Sequence, residues 1–411
     1  MKRNSISAFI IILVSSSLSL FGQRYPHGYK DYPFLNIEKN KIDFFAMQNW
    51  DQFFCKMQSQ WLEGNQQINI VHFGGSHIQA DVWSNRLRQH FQNISPDNNS
   101  GRGMLFPFRL IRSNGSAYLK TSHTGNWNGY RNSVSSHQSP FGLMGARGEL
   151  SDSSSTLSLW VNKEHCTDCY FDQLEIFYMD SSDNFCIEII NDSVEWIKES
   201  SDLGSCSFKL SKVVDSLNIS FKKLDTSSSV FQLYGLKLIN ETPGILYHSV
   251  GVNGASVPSY LRCEYLPQQL GFIEPDLVIF SIGINDAYET NFTKENFIAN
   301  YDSLIQIVKQ INPFTAILFT TNNDSYYQKK VPNKRGQLVK EAMYELAEKH
   351  NAAVWDFYEV MGGFNSIATW EKYRLAKRDK IHLTTIGYKL VGDLLFEAFL
   401  NAYKDFIAID G

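Results

Sequence analysis

Positive charge is in short supply in this chain of 411 residues: Lys and Arg number 38 against 42 Asp and Glu. Without a basic field to neutralise polyphosphate, nucleic acid is excluded as a partner. Beyond Leu20 no run is long and apolar enough to cross a bilayer, which excludes a polytopic membrane protein. Paired metal-binding cysteines are missing too. The lone CxxC, Cys166 and Cys169 beside His165, has no second pair, so no metal site is expected. What remains is ordinary for a folded soluble protein: 43% apolar and 19% charged residues. Aromatic residues reach 14%, a content that suits both sugar stacking and an aromatic core.

The one strongly apolar run lies at the start. Lys2 and Arg3 precede Ile6 to Leu20, and Phe21, Gly22 and Gln23 follow. This is the charged, apolar and small-residue order of a secretory signal, predicted over residues 1–22. There is no cysteine at its exit for a lipid anchor. A secreted or periplasmic protein with no membrane span after cleavage is expected. Six cysteines fit such an oxidising compartment, and Cys166, Cys169, Cys186 and Cys206 cluster, with their pairing left open.

The length exceeds what a single core usually needs, so two domains are expected. Ile68 to Phe73 reads as a buried strand, broken by Gly74 and Gly75, and Ile78, Val82, Leu87 and Phe91 predict a helix over 77–92. Over 116–245 the texture changes to short alternating segments, such as Phe185 to Ile190 and Ser216 to Phe221, separated by Ser, Asp, Asn and Gly clusters. That spacing predicts an all-β sandwich. Strand and helix alternation then resumes over 246–411, with strands predicted at Leu277 to Ile282, Ala316 to Thr321 and Ala352 to Phe357. A parallel sheet covered on both faces is implied, built from 23–115 and 246–411 and interrupted by the sandwich.

Ligands of open parallel sheets bind beyond the carboxyl ends of the strands, and four blocks fall there. In the first, His72-Phe73-Gly74-Gly75-Ser76-His77, the glycines permit a sharp turn that presents Ser76 at a helix start. A plain helix N-cap would look the same, and the spacing is not the GxSxG of the usual nucleophile elbow. The second block, with Gly254, offers a backbone N–H with no side chain in the way. The third, Ser281 to Asp286, places the amide of Asn285 directly after a strand, where a turn residue is equally common. The fourth is Asp379-Lys380-Ile381-His382, whose spacing lets a carboxylate hold one imidazole nitrogen while the other faces Ser76.

Ser76, Gly254, Asn285 and His382, in this order and with Asp379 preceding the histidine, resemble the four named positions of the SGNH (GDSL-like) hydrolases. GGSHIQAD, GVNGAS, SIGINDAY and DKIHLTTIGY are similar to a bacterial branch whose first block reads GDSH and which contains peptidoglycan O-acetylesterases. The resemblance implies an α/β fold with a three-layer, flavodoxin-like core, an inserted sandwich resembling carbohydrate-binding modules, and no cofactor. It implies Ser76, Asp379 and His382 as catalytic residues, with Ser76, Gly254 and Asn285 forming an oxyanion hole. Gly75 departs from the family pattern, which has aspartate there.

The expected function is a serine esterase that removes O-acetyl groups from a glycan, with peptidoglycan ahead of other polysaccharides. Trp127, between Asn126 and Asn128, is a candidate for stacking on a sugar, or else a structural residue at the domain junction. Two other functions use the same residues: a glycan O-acetyltransferase sharing the acyl-enzyme, and a glycan-binding protein with a decayed hydrolase core. Intact Ser76, Asp379 and His382 argue against decay.

Overall fold

Six strands carry the catalytic half of the molecule: β1 (Ile42–Phe44), β2 (Gln67–Gly74), β3 (Gly244–Gly251), β4 (Leu277–Ser281), β5 (Ala316–Thr320) and β6 (Ala353–Trp355). They lie in the order β1-β6-β5-β4-β2-β3, with every neighbouring pair parallel except β1 against β6. Counted from β2, the five parallel strands run 2-1-3-4-5, the flavodoxin-like order in which the first strand sits at the switch point. The computed structural model describes residues 31–95, 98–161, 170–180, 184–191, 194–201, 204–226 and 228–409. The expected signal segment and the His165, Cys166 and Cys169 group lie outside these residues.

The near-continuous apolar run of β2 is explained by burial on both faces. Tyr247 pairs in register with Ile70 and stacks on Phe91 of α2 (Val82–Gln92). Phe280 pairs with Phe73, on the opposite face of the pleat, and meets Tyr301 of α3 (Lys294–Ile311). On the first face α2 packs with a long closing helix, α5 (Thr385–Ile409). On the second α3 packs with α4 (Arg335–His350). Three layers result, as the resemblance implies. Among the described residues no helix is long and apolar enough to cross a membrane.

The helix expected over 77–92 is in fact two, Ser76–Gln79 and Val82–Gln92. Asp81 interrupts it in the left-handed conformation, with φ 57°. Tertiary bonds hold it there. Its buried carboxylate pairs with Arg102 and Arg88 and accepts hydrogen bonds from Ser84, Ser116 and Ser249.

The inserted region forms two antiparallel sheets. One holds Leu119–His123, Ser154–Val161, Ser216–Lys223 and Phe185–Ile190 in that order. The other centres on Phe171–Asp180 and Phe231–Ile239 and is joined by Gly101–Leu105, upstream of residue 116. Trp127 takes the structural one of its two expected roles. Its ring is buried in the sandwich against Phe221 and Phe231, and its indole N–H donates to Ser155 Oγ at 2.9 Å. With no free face it offers no platform to a sugar. Cys186 and Cys206, from the expected disulfide cluster, are free thiols in different sheets.

Sandwich and α/β core share one continuous apolar interior, and from Phe34 onward the chain forms one compact unit. Hydrogen bonds cross between them: Leu143 N–H donates to Gln269 Oε1 at 2.8 Å, and the Arg262 guanidinium donates to the Asn132 and Val134 carbonyls.

Candidate active site

At the carboxyl end of β2 the chain turns at once into the short helix that starts with Ser76. The turn is tight: a Cβ on Gly74 would lie 2.1 Å from Ile78 Cγ1, so only glycine fits. Ser76 is left half-buried, its Oγ 2.9 Å from His382 Nε2. His382 Nδ1 lies 2.9 Å from Asp379 Oδ2. The other carboxylate oxygen, Oδ1, accepts the N–H groups of Ile381 and His382, both at 3.0 Å. Partial burial pushes the Asp379 carboxyl up. The hydrogen bonds from His382 and Ile381 outweigh it and hold the group below the usual carboxylate range. Asp379 is therefore an anion wherever His382 works, and it favours the Nδ1–H tautomer that leaves Nε2 free to take a proton.

The segment carrying Asp379 and His382 is fixed from three sides. Tyr326 N–H donates to the Lys380 carbonyl at 2.9 Å, Asn323 Nδ2 to the Ile381 carbonyl at 3.1 Å, and Lys377 N–H to the His382 carbonyl at 2.8 Å. Such anchoring confines the imidazole to one approach.

Gly254 and Asn285 lie on adjoining loops. Gly254 adopts φ 81°, a left-handed conformation that suits glycine, and is exposed. Asn285 Nδ2 donates to the Ala255 carbonyl at 2.8 Å, and a Cβ added to Gly75 would fall 2.9 Å from that same nitrogen. The Asn285 amide thus touches both the residue before Ser76 and the residue after Gly254. All five residues singled out in the sequence besides Trp127 converge at the carboxyl edge of β2, β3 and β4.

Three neighbours escaped the sequence reading. His77 sits beneath the imidazole of His382 and bonds to the Tyr388 hydroxyl at 3.0 Å. Burial pushes its pKa down to about 3, helped by the charge of a protonated His382 and opposed by Asp379. Asp286 is buried with its carboxyl against the Val257 N–H, and burial raises its pKa to about 7. Ser133, from the sandwich, donates to the Asn253 carbonyl at 2.7 Å, next to Gly254. His77 and Asp286 were visible as neighbours of quoted residues. Nothing in the sequence links Ser133 to residue 253.

Residues 231–390 match the family model of the GDSL-like lipase/acylhydrolase family, a span that holds Gly254, Asn285, Asp379 and His382 but not Ser76. No curated protein matches the chain by sequence. Among solved structures, a peptidoglycan O-acetylesterase superposes with a TM-score of 0.73 at 18% identity, covering 89% of this chain and 99% of its own. A family two carbohydrate esterase from Cellvibrio japonicus aligns at 11% identity and a TM-score of 0.29, over 70% of this chain and all, 100%, of that one. A family 3 carbohydrate esterase from Talaromyces cellulolyticus aligns at 14% identity and 0.30, over 40% of this chain and 73% of that one. At such identities the first of these establishes a common fold and no more. Residues 231–390 are thus similar to the GDSL-like lipase/acylhydrolase family, and the chain shares its fold with a peptidoglycan O-acetylesterase.

Proposed function

We propose that the protein is a serine esterase that removes O-acetyl groups from a glycan, peptidoglycan first among them, outside the cytoplasm. The observation that carries this reading is the hydrogen-bonded chain Ser76–His382–Asp379, with both links at 2.9 Å. In the reaction His382 Nε2 takes the Ser76 proton as Oγ attacks the ester carbonyl, and Asp379 stabilises the imidazolium. In this reading the Ser76 and Gly254 backbone N–H groups donate to the developing oxyanion. Asn285 has a second amide hydrogen to add, beyond the one it gives Ala255. The tetrahedral intermediate collapses, and His382 returns its proton to the departing sugar oxygen. A water, deprotonated by His382, then releases acetate and restores Ser76.

The glycan assignment is supported by the fold shared with a peptidoglycan O-acetylesterase and by the sandwich, residues 116–245 in the sequence, beside the catalytic edge. The test compares wild type with Ser76→Ala on p-nitrophenyl acetate and on O-acetylated peptidoglycan. Acetate release from both, lost in the variant, is expected. Retention of even a tenth of the activity by Ser76→Ala would remove Ser76 as nucleophile. Transfer of acetyl to an added acceptor sugar in preference to water would make the enzyme a transferase.

A further inference from the structure

Beside the oxyanion loops lies a second feature that the chemistry above leaves unused. A cavity of about 290 Å³ opens between the loop after Asn285, the segment after Gly254 and the start of α3. Asn291, Asn296 and Asn300 line it together with Ser256 and Glu289, and the ring of Phe292 supplies an apolar wall. Asn296 and Asn300, four residues apart on α3, occupy one face of the helix. Each primary amide carries both donors and an acceptor, the pairing that adjacent sugar hydroxyls require. The volume falls just below the ~300–1,000 Å³ of clefts that take drug-sized ligands, which suits a single ring.

The charge of the lining selects further. Glu289 and the buried Asp286 are its ionisable groups, and no Lys or Arg is among its lining residues. A uronate or sialyl carboxylate would meet the Glu289 carboxylate there, with no Lys or Arg in the lining to pair with. A neutral ring meets amides, hydroxyls, a phenyl face and carboxyl groups that can accept its hydroxyl hydrogens.

Position ties the cavity to Ser76. Ser256 follows Gly254 by two residues, and Asp286 follows Asn285 directly. Asp286 also accepts the Val257 N–H, so one carboxyl braces the cavity wall and the oxyanion loops together. A ring seated here would share with the ester site the loops that carry Gly254 and Asn285.

We propose that this cavity is a subsite for one neutral pyranose residue of the glycan chain, adjacent to the acetylated sugar. It rests on the glycan esterase reading and refines it: the chain deacetylated is neutral at this position. Binding of triacetylchitotriose, a neutral probe, and of trigalacturonate, an acidic one, is measured by calorimetry on the Ser76→Ala protein. A second preparation adds Asn296→Ala and Asn300→Ala, both compatible with a helix. The neutral trisaccharide is expected to bind at least about tenfold more tightly than the acidic one. The double substitution is expected to weaken it roughly five- to tenfold, as for the loss of one or two hydrogen bonds. With Ser76 intact, the same double variant keeps p-nitrophenyl acetate turnover and raises KM, not kcat, on acetylated glycan. Unchanged trisaccharide affinity in the double variant, equal affinity for the acidic probe, or no binding of either would overturn the subsite. Trisaccharide binding in a wild type that cannot turn over p-nitrophenyl acetate would instead sink the esterase reading and leave the subsite standing.

Discussion

The imidazole of His77 lies nearly parallel beneath that of His382, ring centroids 5.4 Å apart at 24°. Because burial keeps His77 neutral down to a pH of about 3, it supports His382 without placing a second positive charge against the imidazolium. His77→Ala is expected to lower kcat on p-nitrophenyl acetate roughly tenfold through looser positioning, and His77→Phe, which keeps a ring, to recover most of it. The acid limb of the pH–rate profile should stay where it is in both variants. A displaced limb would show that His77 titrates during turnover.

Asp379 and His382 are a coupled pair, so their losses should not add. Asp379→Asn keeps the shape of the side chain but removes the charge and the tautomer preference, and a drop in kcat of about 10³–10⁴ is expected. His382→Ala should cost at least as much, and the double variant little more than His382→Ala alone. Equal, additive losses measured on p-nitrophenyl acetate would mean that Asp379 acts on something other than His382.

The core was legible where side chains obey a period that burial enforces. β2 reads as buried from Ile68 to Phe73 because both its faces are covered, and the strands Leu277–Ser281 and Phe185–Ile190 fall where their spacing puts them. β3 was not placed, because Tyr247, His248 and Ser249 make its centre look polar. Each is bonded across the fold: Tyr247 to His72, His248 to the Met104 N–H, Ser249 to Asp81. Gly101–Leu105 has the glycines of a turn and becomes a strand only by pairing with Phe231–Ile239. Trp127 left two roles open in the sequence. Flanking Asn residues fit either role, and alternation along a strand decides between them by turning Trp127 inward while Asn128 faces out.

Gly75 stands where the resemblance to the GDSH branch implies aspartate, and the structure gives that difference a consequence. A Cβ there meets Asn285 Nδ2 at 2.9 Å, so the amide must turn away from the Ala255 carbonyl to make room. Gly75→Asp is therefore expected to lower kcat by about tenfold or more, approaching the ~10²–10³ loss of an oxyanion donor. If the effect runs through Asn285, adding Gly75→Asp to Asn285→Ala should cost little further, a double-mutant cycle that kinetics on p-nitrophenyl acetate can close. Full additivity would place the damage elsewhere.

Asp286 should make stability depend on pH in the direction opposite to an ion-paired carboxylate. Burial raises its pKa to about 7 in the folded protein, well above its ordinary value of 3.8. Between these values the folded state holds a proton that the unfolded state has lost, so this group's contribution declines as pH rises through that window. Asp286→Asn keeps an acceptor for the Val257 N–H and abolishes the titration. The melting temperature of the variant relative to wild type should rise by several degrees between pH 5 and pH 8, on the order of 2–4 °C per kcal/mol. A difference independent of pH would show that Asp286 stays ionised in the fold.

Ser133 supplies a test of what the sandwich does for catalysis. Its hydroxyl donates to the Asn253 carbonyl at 2.7 Å, and Asn253 N–H in turn donates to Gln79 Oε1, so the loop bearing Gly254 is held from both sides. On substrate size alone, a small ester would not need the sandwich. The structure argues otherwise, because residues 116–245 also contain Ser116, which binds Asp81, and the strand Phe231–Ile239, which pairs with Gly101–Leu105. Replacing that region with a short Gly/Ser linker would expose the apolar surface both halves share, and we expect the truncated protein not to fold. Ser133→Ala isolates the local effect. With one hydrogen bond lost, kcat on p-nitrophenyl acetate should fall about fivefold, while the melting temperature changes little. If the linker variant instead folds, keeps p-nitrophenyl acetate turnover and loses only activity on acetylated polymer, the sandwich serves large substrates alone and the Ser133 bond is incidental to the chemistry.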